Sequence, residues 1–321
     1  MTNESNARES GQGFVRPVVT FTRADAVQCK ETEWLLDRWL VRNTLAGLVG
    51  PSGSCKTFLA LDWACRIATG CHWLGNKSKR GGVFYLAGEG QAGLRKRILA
   101  WETYHEVSLK GAPLYLADGL PFLVEDSQAL GTLDAIEALS DELMFENGGA
   151  EPALIVVDTL ARAMGGANEN SAQDMGALVR SMDWLRSRFG ACVLVVHHTG
   201  HAEAGRARGS SAFYAALDSE FNIRQEDGRY RLHATKTKDW RSPDSLLLQA
   251  RQVEVGLPSG ERETSLILHS DVAAAIDARK YQEVLRLRSN GQPIRKIADA
   301  VGVPRSTVSR WLTEAGDCGQ D

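Results

Sequence analysis

The sequence predicts an α/β protein with a mainly parallel central sheet, followed by a small all-α domain. Two observations predict this order. From Thr44 onward, short apolar runs alternate with helical stretches, as in βα units that build a parallel sheet. Between Asp277 and Gly316 the spacing becomes helical throughout, and eight Lys or Arg stand against four Asp or Glu.

Composition sets the outer limits of this interpretation. A chain of 321 residues that is 43% hydrophobic has room for one large domain and a small appendage. The net charge of −3 excludes a global electrostatic field that would attract nucleic acid or membrane, so any such partner must bind a local patch. The six cysteines show no paired CxxC spacing, which indicates reduced thiols and no zinc site. No signal peptide or membrane span is recognisable, and we expect a cytoplasmic protein without a membrane partner.

Three regions are predicted along the chain. Residues 1–32 form a flexible tail that is polar over Met1–Gln12, residues 33–270 form the α/β domain, and residues 271–321 form the helical domain. The apolar residues of Glu33–Val41 have helix-compatible spacing, and we expect this segment to pack on the α/β core.

The elements of the α/β domain follow from its periodicity. Strands of the parallel part are predicted at Leu45–Val49, Val83–Ala87, Pro113–Ala117, Ala153–Asp158 and Cys192–His197. Helices are predicted between them at Thr57–Thr69, Gly93–Tyr104, Leu133–Phe145 and Ala172–Phe189. Alternating segments at Ser219–Gln225, Tyr230–Lys236 and Ser245–Val255 predict antiparallel strands that extend one side of the sheet.

A phosphate-binding loop is predicted where the first strand gives way to a helix. It reads Gly50-Pro51-Ser52-Gly53-Ser54-Cys55-Lys56-Thr57, with the spacing of a Walker A motif. Such a loop supplies inward backbone N–H groups, a helix N-terminus, a lysine for the β and γ oxygens of ATP, and a hydroxyl for Mg²⁺. Cys55 replaces the second glycine of the motif, and we expect an ordinary helical backbone there to accommodate it. The alternative is a loop that caps a helix without nucleotide.

Two further strands bring acids to the same site. The apolar strand at Leu154–Thr159 ends in Asp158, as a Walker B motif does, and Asp158 would hold the Mg²⁺ shell. The strand at Val83–Gly90 delivers Glu89 to the carboxyl edge of the sheet, where a general base can polarise the attacking water. The alternative for Glu89 is a solvated loop acid.

A pair of histidines ends the fifth predicted strand. His197 and His198 lie where a neutral imidazole can donate to the γ-phosphate and report hydrolysis to neighbouring loops. The alternative is a histidine that is satisfied in the core.

Together these segments resemble the RepA-like subgroup of hexameric RecA-fold ATPases, AAA-type P-loop proteins found among plasmid and phage replication helicases. The resemblance covers about Trp34 to Val255, and it is carried by GPSGSCKT, FYLAGEG, LIVVDTLARAMGGANENSAQDM, VLVVHHTG, ARGSSAFYAALDS and HATKTKD. It implies a homo-oligomer, most simply a hexamer, with an ATP site at each subunit interface. It also implies these roles: Lys56 and Thr57 on phosphate and metal, Glu89 as catalytic carboxylate, Asp158 as Walker B acid, and His197 or His198 as γ-phosphate sensor.

Members of this group complete the ATP site with a basic finger from the next subunit. Lys236 and Lys238 occupy the place where related hexameric helicases carry a Lys and an Arg. Because no Arg stands at the second position, Arg208 is an alternative finger, since Arg binds a phosphoryl group in bidentate fashion and Lys does not. The two lysines can also be ordinary surface residues.

Two polar loops are candidates to contact single-stranded DNA in the channel of such a ring. They are Gly165–Asp174 and the Gly- and Arg-containing Gly200–Ser211. A few charges from each subunit can follow the phosphates of a strand. The alternative is that both are surface loops.

A helix-turn-helix is predicted at Ile294–Leu312. Apolar residues at helical spacing form a small core around a turn at Gly302, and an earlier helix around Tyr281 supplies the third side. The second helix carries side chains of the types that contact phosphates and base edges: Arg305, Ser306, Thr307, Ser309 and Arg310. The segment resembles the DNA-binding ends of site-specific recombinases and bacterial regulators. A three-helix oligomerisation or partner module is the alternative.

These features favour a DNA-dependent, hexamer-forming ATPase, and specifically a replicative helicase of a mobile element. Its cofactors would be ATP and Mg²⁺, with single-stranded DNA in the ring and duplex DNA on the helix-turn-helix. One alternative is a regulator in which ATP switches DNA binding without unwinding. Another is a recombination or repair ATPase that coats DNA as a filament.

Overall fold

The computed structural model describes residues 21–29, 31–88, 91–146, 149–199, 211–257 and 259–314. It divides the chain into two units, Met1–Thr32 and Glu33–Asp321. In the first unit the described residues form a short 3₁₀ turn at Ala24–Ala26 beside an exposed ion pair of Arg23 with Asp25. The expected mobile tail, Met1–Gln12, lies outside the described residues.

The second unit is built on a large sheet, which confirms the predicted α/β class. Its strands are β1 (Trp34–Leu36), β2 (Leu40–Val41), β3 (Leu45–Gly50), β4 (Gly82–Ala87), β5 (Leu114–Leu116), β6 (Pro152–Asp158), β7 (Cys192–His198), β8 (Ser219–Glu226), β9 (Arg229–Thr237), β10 (Leu246–Gly256) and β11 (Arg262–His269). Nine of these described strands pair in the order β11-β10-β9-β8-β3-β7-β6-β4-β5. Pairing is parallel from β5 to β8 and antiparallel from β8 to β11.

The helices follow the parallel strands as the sequence predicts, with two short additions at α4 and α6. They are α1 (Lys56–Thr69), α2 (Gln91–His105), α3 (Asp126–Glu146), α4 (Leu160–Ala163), α5 (Ala172–Phe189), α6 (Ser211–Ala216), α7 (Asp271–Ser289), α8 (Ile294–Val301) and α9 (Arg305–Glu314). None of the helices in the described part of the chain is both long and apolar enough to cross a membrane.

Apolar side chains on both faces of the sheet form the core. Alternate residues of β6 enter two different clusters, with Leu154 and Val156 on the side of α1 and α2, and Ile155 and Val157 on the side of α3 and α5. Because successive side chains of a strand point to opposite faces, helices cover the parallel strands on both sides.

The helix suggested by the spacing of Glu33–Val41 is wrong. This segment forms the two short antiparallel strands β1 and β2. Trp39, in the turn between them, is buried against Trp63 of α1 and Trp73, with ring centroids 6.0 and 5.2 Å away. The expected packing on the core is therefore confirmed, but the buried residues of this segment lie on two short strands and the turn between them, not on a helix.

The three C-terminal helices enclose a separate apolar cluster. Val284, Ile297, Val308 and Leu312 are its most buried members, which confirms the predicted three-helix packing. Gly302 ends α8 in the left-handed region with φ of 66°. A side chain at Gly302 would collide with the imidazole of His72, which lies between α1 and β4, so this turn contacts the α/β core.

Candidate functional site

The predicted phosphate-binding loop joins the end of β3 to the start of α1. β3 is buried along its whole length and ends at Gly50. A side chain at Gly50 would collide with the carbonyl oxygen of Ile223 on β8, so only glycine fits there. The next three residues are exposed, and the third, Gly53, has a φ of 78° that favours glycine.

Lys56 is the first residue of α1, and its side chain folds back over the loop. Its Nζ donates to the carbonyl oxygens of Gly50 at 2.8 Å and Pro51 at 2.6 Å. Burial lowers the pKa of Lys56 to about 8, and the charge of Asp158 opposes this shift. The ammonium group therefore lies at the loop itself and interacts electrostatically with the carboxylate of Asp158.

Other polar groups of the loop suit a phosphate ligand. The Ser54 hydroxyl is buried and has no hydrogen-bond partner among the described residues, so a phosphate oxygen would satisfy it. Thr57 is half-buried in the first turn of α1, where the helix N-terminus favours an anion. With Lys56 and Asp158, these hydroxyl, ammonium and carboxylate groups fit a triphosphate and its Mg²⁺ ion.

The backbone of Cys55 differs from the expected helical conformation. Its φ of 63° and ψ of 24° lie in the left-handed region, immediately before α1 begins. The chain reverses there, at the position where the motif has glycine, and a Cβ in this region costs about 1 kcal/mol. The half-buried thiol packs against the apolar cluster on the α1 face.

Asp158 ends β6 at the same edge of the sheet. It is buried, and its Oδ2 accepts a hydrogen bond of 2.7 Å from the hydroxyl of Tyr85 on β4. Its backbone carbonyl accepts from the Gly88 amide at 2.7 Å, which ties the ends of β6 and β4 together. Glu89, the predicted general base, follows Gly88 but lies outside the described residues.

The two histidines lie on β7, between the phosphate-binding loop and Asp158. His198 pairs in register with Gly50, and the amide of Thr199 donates to the Gly50 carbonyl at 3.1 Å. Burial lowers the pKa of His198, with smaller contributions from Lys56 and His197, so its imidazole is neutral at pH 7. His197 is buried, with its ring 5.8 Å from that of Phe213.

The proposed finger lysines do not reach the phosphate-binding loop of their own chain. Lys236 pairs in register with Glu220, which is level with the middle of β3 and not with its carboxyl end. Its Nζ donates to the Tyr214 carbonyl at 2.6 Å and lies 4.7 Å from the centre of that tyrosine ring. Lys238 forms an ion pair of 3.0 Å with Asp218. Arg208, the alternative finger, lies outside the described residues.

The candidate DNA-contacting residues lie on α9. Arg305, Ser306 and Ser309 are exposed, and Thr307 is half-buried. Arg310 belongs to the same helix. Of the two loops expected to face single-stranded DNA, Gly165–Asp174 ends in the first turn of α5, where the Ser171 hydroxyl caps the helix by accepting from the Asp174 amide.

A protein-family comparison matches the part of the chain that contains the loop, Asp158 and the two histidines. The family model described as "AAA domain" matches residues 13–204, more than half of the chain. The chain belongs to the AAA domain family. This match includes β3 to β7 and so the phosphate-binding loop, Asp158 and both histidines. A model of a homeodomain-like domain matches residues 277–319, which contain α8 and α9. No curated protein matches the chain.

The AAA domain and the helix-turn-helix together indicate a nucleotide-binding ATPase that also binds DNA. The RecA-like P-loop core and the small all-α domain predicted from the sequence are thereby confirmed.

Sequence reasoning missed Tyr85 at this site. Its hydroxyl contacts Asp158 from the neighbouring strand. This contact joins residues that are far apart along the chain, and no motif in the sequence links them. A tyrosine inside a predicted buried strand, whose hydroxyl needs a partner, is the one signal that pointed to Tyr85.

Proposed function

We propose that this protein is an ATP-hydrolysing, DNA-binding RecA-like motor, and specifically a RepA-like replicative DNA helicase of a plasmid, phage or other mobile element. The observation that carries the proposal is the meeting of Lys56, His198 and Asp158 at one edge of the sheet, in a chain that also contains a helix-turn-helix. The cytoplasm is the compartment in which such a motor would work.

Each group of the site has a role that its surroundings support. Lys56 leaves the carbonyls of Gly50 and Pro51 and neutralises charge on the β- and γ-phosphates. Thr57 and Asp158 would hold Mg²⁺, which when bound neutralises phosphate charge. The residues from Gly50 to Thr57 orient the triphosphate through their backbone amides and the N-terminus of α1.

Hydrolysis needs a base and a sensor in addition to this cradle. Glu89 follows Gly88, whose amide is bonded to the Asp158 carbonyl, so it is the candidate that would take a proton from the attacking water. A neutral His198 can donate a hydrogen bond to the γ-phosphate and lose it after hydrolysis, and His197 is the second candidate.

The site would be completed by the next subunit of a homo-oligomeric ring, most simply a hexamer. Lys236 and Lys238 lie away from their own phosphate-binding loop, which fits a role at a neighbouring subunit's site. To act there they would exchange their contacts with Tyr214 and Asp218 for phosphate oxygens. Arg208 remains the alternative finger.

Two DNA contacts follow from this proposal. Single-stranded DNA would pass through the ring beside the loops at Gly165–Asp174 and Gly200–Ser211. Duplex DNA would bind α9 through Arg305, its exposed hydroxyl residues and Arg310.

One set of assays separates this function from its competitors. ATP turnover is measured with and without single-stranded DNA, and strand displacement is measured on a forked duplex. Stimulation together with displacement supports the helicase. Stimulation without displacement favours a recombination or repair filament, and the absence of both favours an ATP-switched regulator.

Two variants test the assignment of the site in the same assays. Lys56→Ala is expected to abolish turnover, because a cation that faces developing phosphate charge is lost. Glu89→Gln is expected to bind ATP and hydrolyse it slowly. Wild-type turnover in Lys56→Ala would refute the site, whereas wild-type turnover in Glu89→Gln would assign the base to another residue.

A further inference from the structure

A groove of about 480 Å³ lies between the helix-turn-helix and the α/β core, and we call it the junction groove. One wall is formed by the end of α8 and the turn that leads to Pro304, and the other by the segment after α1 and the loop before β5. The turn is held in place at Gly302, which packs on the imidazole of His72 and whose carbonyl accepts a hydrogen bond of 3.3 Å from the Lys280 ammonium group. The fold therefore brings a wall of the helix-turn-helix opposite a wall of the core.

The core wall of the junction groove presents two exposed cations, Arg80 and Lys110. Arg80 lies beside the end of α1, where a Cβ added at Gly70 would be 3.2 Å from its Cβ. The next amide, that of Gly81, donates to the carbonyl of Ile67 at 3.1 Å and fixes this segment on the helix. Lys110 lies in the short loop that precedes β5. Both cations therefore extend from segments whose backbone is attached to the core.

Positive charge exceeds negative charge in this groove. Among the described residues that line it, Asp299 on α8 is the one acid, against the two cations Arg80 and Lys110. Burial lowers the pKa of His72 to about 4, so its imidazole is neutral at pH 7. The excess of positive charge, on long exposed side chains, suits a ligand that carries phosphates on its surface.

The position of the junction groove relative to α9 indicates which phosphates these are. A helix-turn-helix inserts the N-terminal residues of its second helix into the major groove of DNA, and its first helix crosses the DNA backbone. Here α9 begins at the exposed Arg305, directly after Pro304 in the wall of the junction groove, and α8 forms part of the same wall. A DNA backbone that crosses α8 would therefore pass the mouth of the groove, opposite Arg80 and Lys110.

We propose that Arg80 and Lys110 of the α/β core form a composite duplex-binding surface with the helix-turn-helix, in which the core cations hold phosphates of the DNA backbone that crosses α8. This inference rests on the proposed DNA binding and deepens it, because it assigns part of the duplex contact to the ATPase core. Contacts to phosphates position a protein on DNA without reading its sequence. The surface therefore contributes affinity, while α9 supplies the contacts to base edges.

The salt dependence of duplex binding by the full chain tests this surface. Affinity for a fluorescein-labelled mixed-sequence duplex is measured by fluorescence anisotropy over a series of salt concentrations, for the wild type and for Arg80→Ala with Lys110→Ala. The slope of log affinity against log salt concentration is expected to become shallower by about two in the double variant, about one for each lost phosphate contact. At about 0.1 M salt its affinity is expected to fall roughly tenfold or more.

Two control variants separate phosphate contact from other effects of charge. Arg180→Ala with Arg188→Ala removes two exposed arginines from α5, on the opposite face of the sheet, and should leave the slope unchanged. Asp299→Asn removes the acid that the core cations face across the groove. If these cations only held the helical domain on the core, Asp299→Asn would weaken duplex binding as the double variant does, whereas a phosphate contact predicts undiminished affinity. Urea unfolding checks that each variant is folded.

The outcomes distinguish this inference from the proposed function. An unchanged slope in the core double variant, together with a shallower slope in Arg305→Ala, would overturn the composite surface and leave duplex binding by α9 intact. An equal change of slope in the α5 variant, or an equal loss of affinity in Asp299→Asn, would also overturn it. A folded wild type that binds no duplex at low salt would overturn the proposed DNA binding together with this inference. A shallower slope in the core double variant, with both controls unaffected, supports both.

Discussion

ATP affinity is expected to fall above pH 8, because the cation of the phosphate-binding loop loses its proton there. Burial lowers the pKa of Lys56 to about 8, whereas an exposed lysine titrates near 10.4. A bound triphosphate favours the ammonium form, so binding takes up a proton wherever the free protein has lost it. ATP affinity is therefore highest at pH values well below 8, where Lys56 is protonated, and it decreases as the pH rises through 8.

The size of the effect follows from the same pKa. At pH 7 roughly nine tenths of Lys56 is protonated, and at pH 9 roughly one tenth. If the ammonium form alone binds, the dissociation constant rises about tenfold over this interval, which corresponds to about 1.4 kcal/mol. Titration of neighbouring groups would not produce the same decrease in affinity between pH 7 and 9. Burial lowers the pKa of His198 and raises the pKa of Cys55 from its usual 9.0.

Titrations of a fluorescent ATP analogue with Mg²⁺ at pH 7, 8 and 9, at constant ionic strength, measure this dependence. Lys56→Arg is the matched control, because a guanidinium keeps its charge throughout the range and its affinity should not vary with pH. Constant wild-type affinity from pH 7 to 9 would refute the reasoning. An equal decline in Lys56→Arg would show that another group titrates.

Three other substitutions test the packing of the site, the core and the DNA-binding helix. Gly50→Ala is expected to lower both ATP affinity and stability, because the added Cβ meets the Ile223 carbonyl. Gly176→Ala, in open space on α5, is the control in urea unfolding, and equal unfolding midpoints for the two variants would contradict this packing. Asp62→Ala is expected to lower the free energy of unfolding by about 3 kcal/mol, because the buried indole N–H groups of Trp73 and Trp101 and the guanidinium of Arg66 lose their acceptor. A decrease below about 1 kcal/mol would contradict this prediction. Arg305→Ala is expected to weaken duplex binding, measured by fluorescence anisotropy, while basal ATPase activity is retained. The slope of log affinity against log salt concentration should become shallower by about one, and an unchanged slope would favour the oligomerisation module.

The parallel half of the sheet could be predicted because its strands are buried on both faces. The apolar runs of three strands end in residues that mark the carboxyl edge of the sheet, namely Gly50 in β3, Asp158 in β6 and His197 with His198 in β7. The phosphate-binding loop was predicted for a related reason, since Gly50–Thr57 is a short motif that can be recognised locally.

The remaining features depend on contacts between distant segments. β11 was not predicted, because the polar start of Arg262–His269 is exposed and only Ile267 and Leu268 are fully buried. The left-handed backbone at Cys55 was also missed, and so was the hydrogen bond from the Tyr85 hydroxyl to Asp158, which joins residues 73 positions apart. Hydrogen bonds of this kind become visible only when the strand order is known.

The antiparallel extension of the sheet links the nucleotide site to the DNA-binding helices. α1, which begins with Lys56, contacts β11, and β11 ends at His269 only one residue before α7 begins at Asp271. A single residue cannot act as a flexible linker, so α7 has little freedom to move independently of the strand that precedes it. Any movement of α1 on nucleotide binding would therefore reach α7 through β11, and such coupling would appear as a difference in duplex affinity measured with and without ATP.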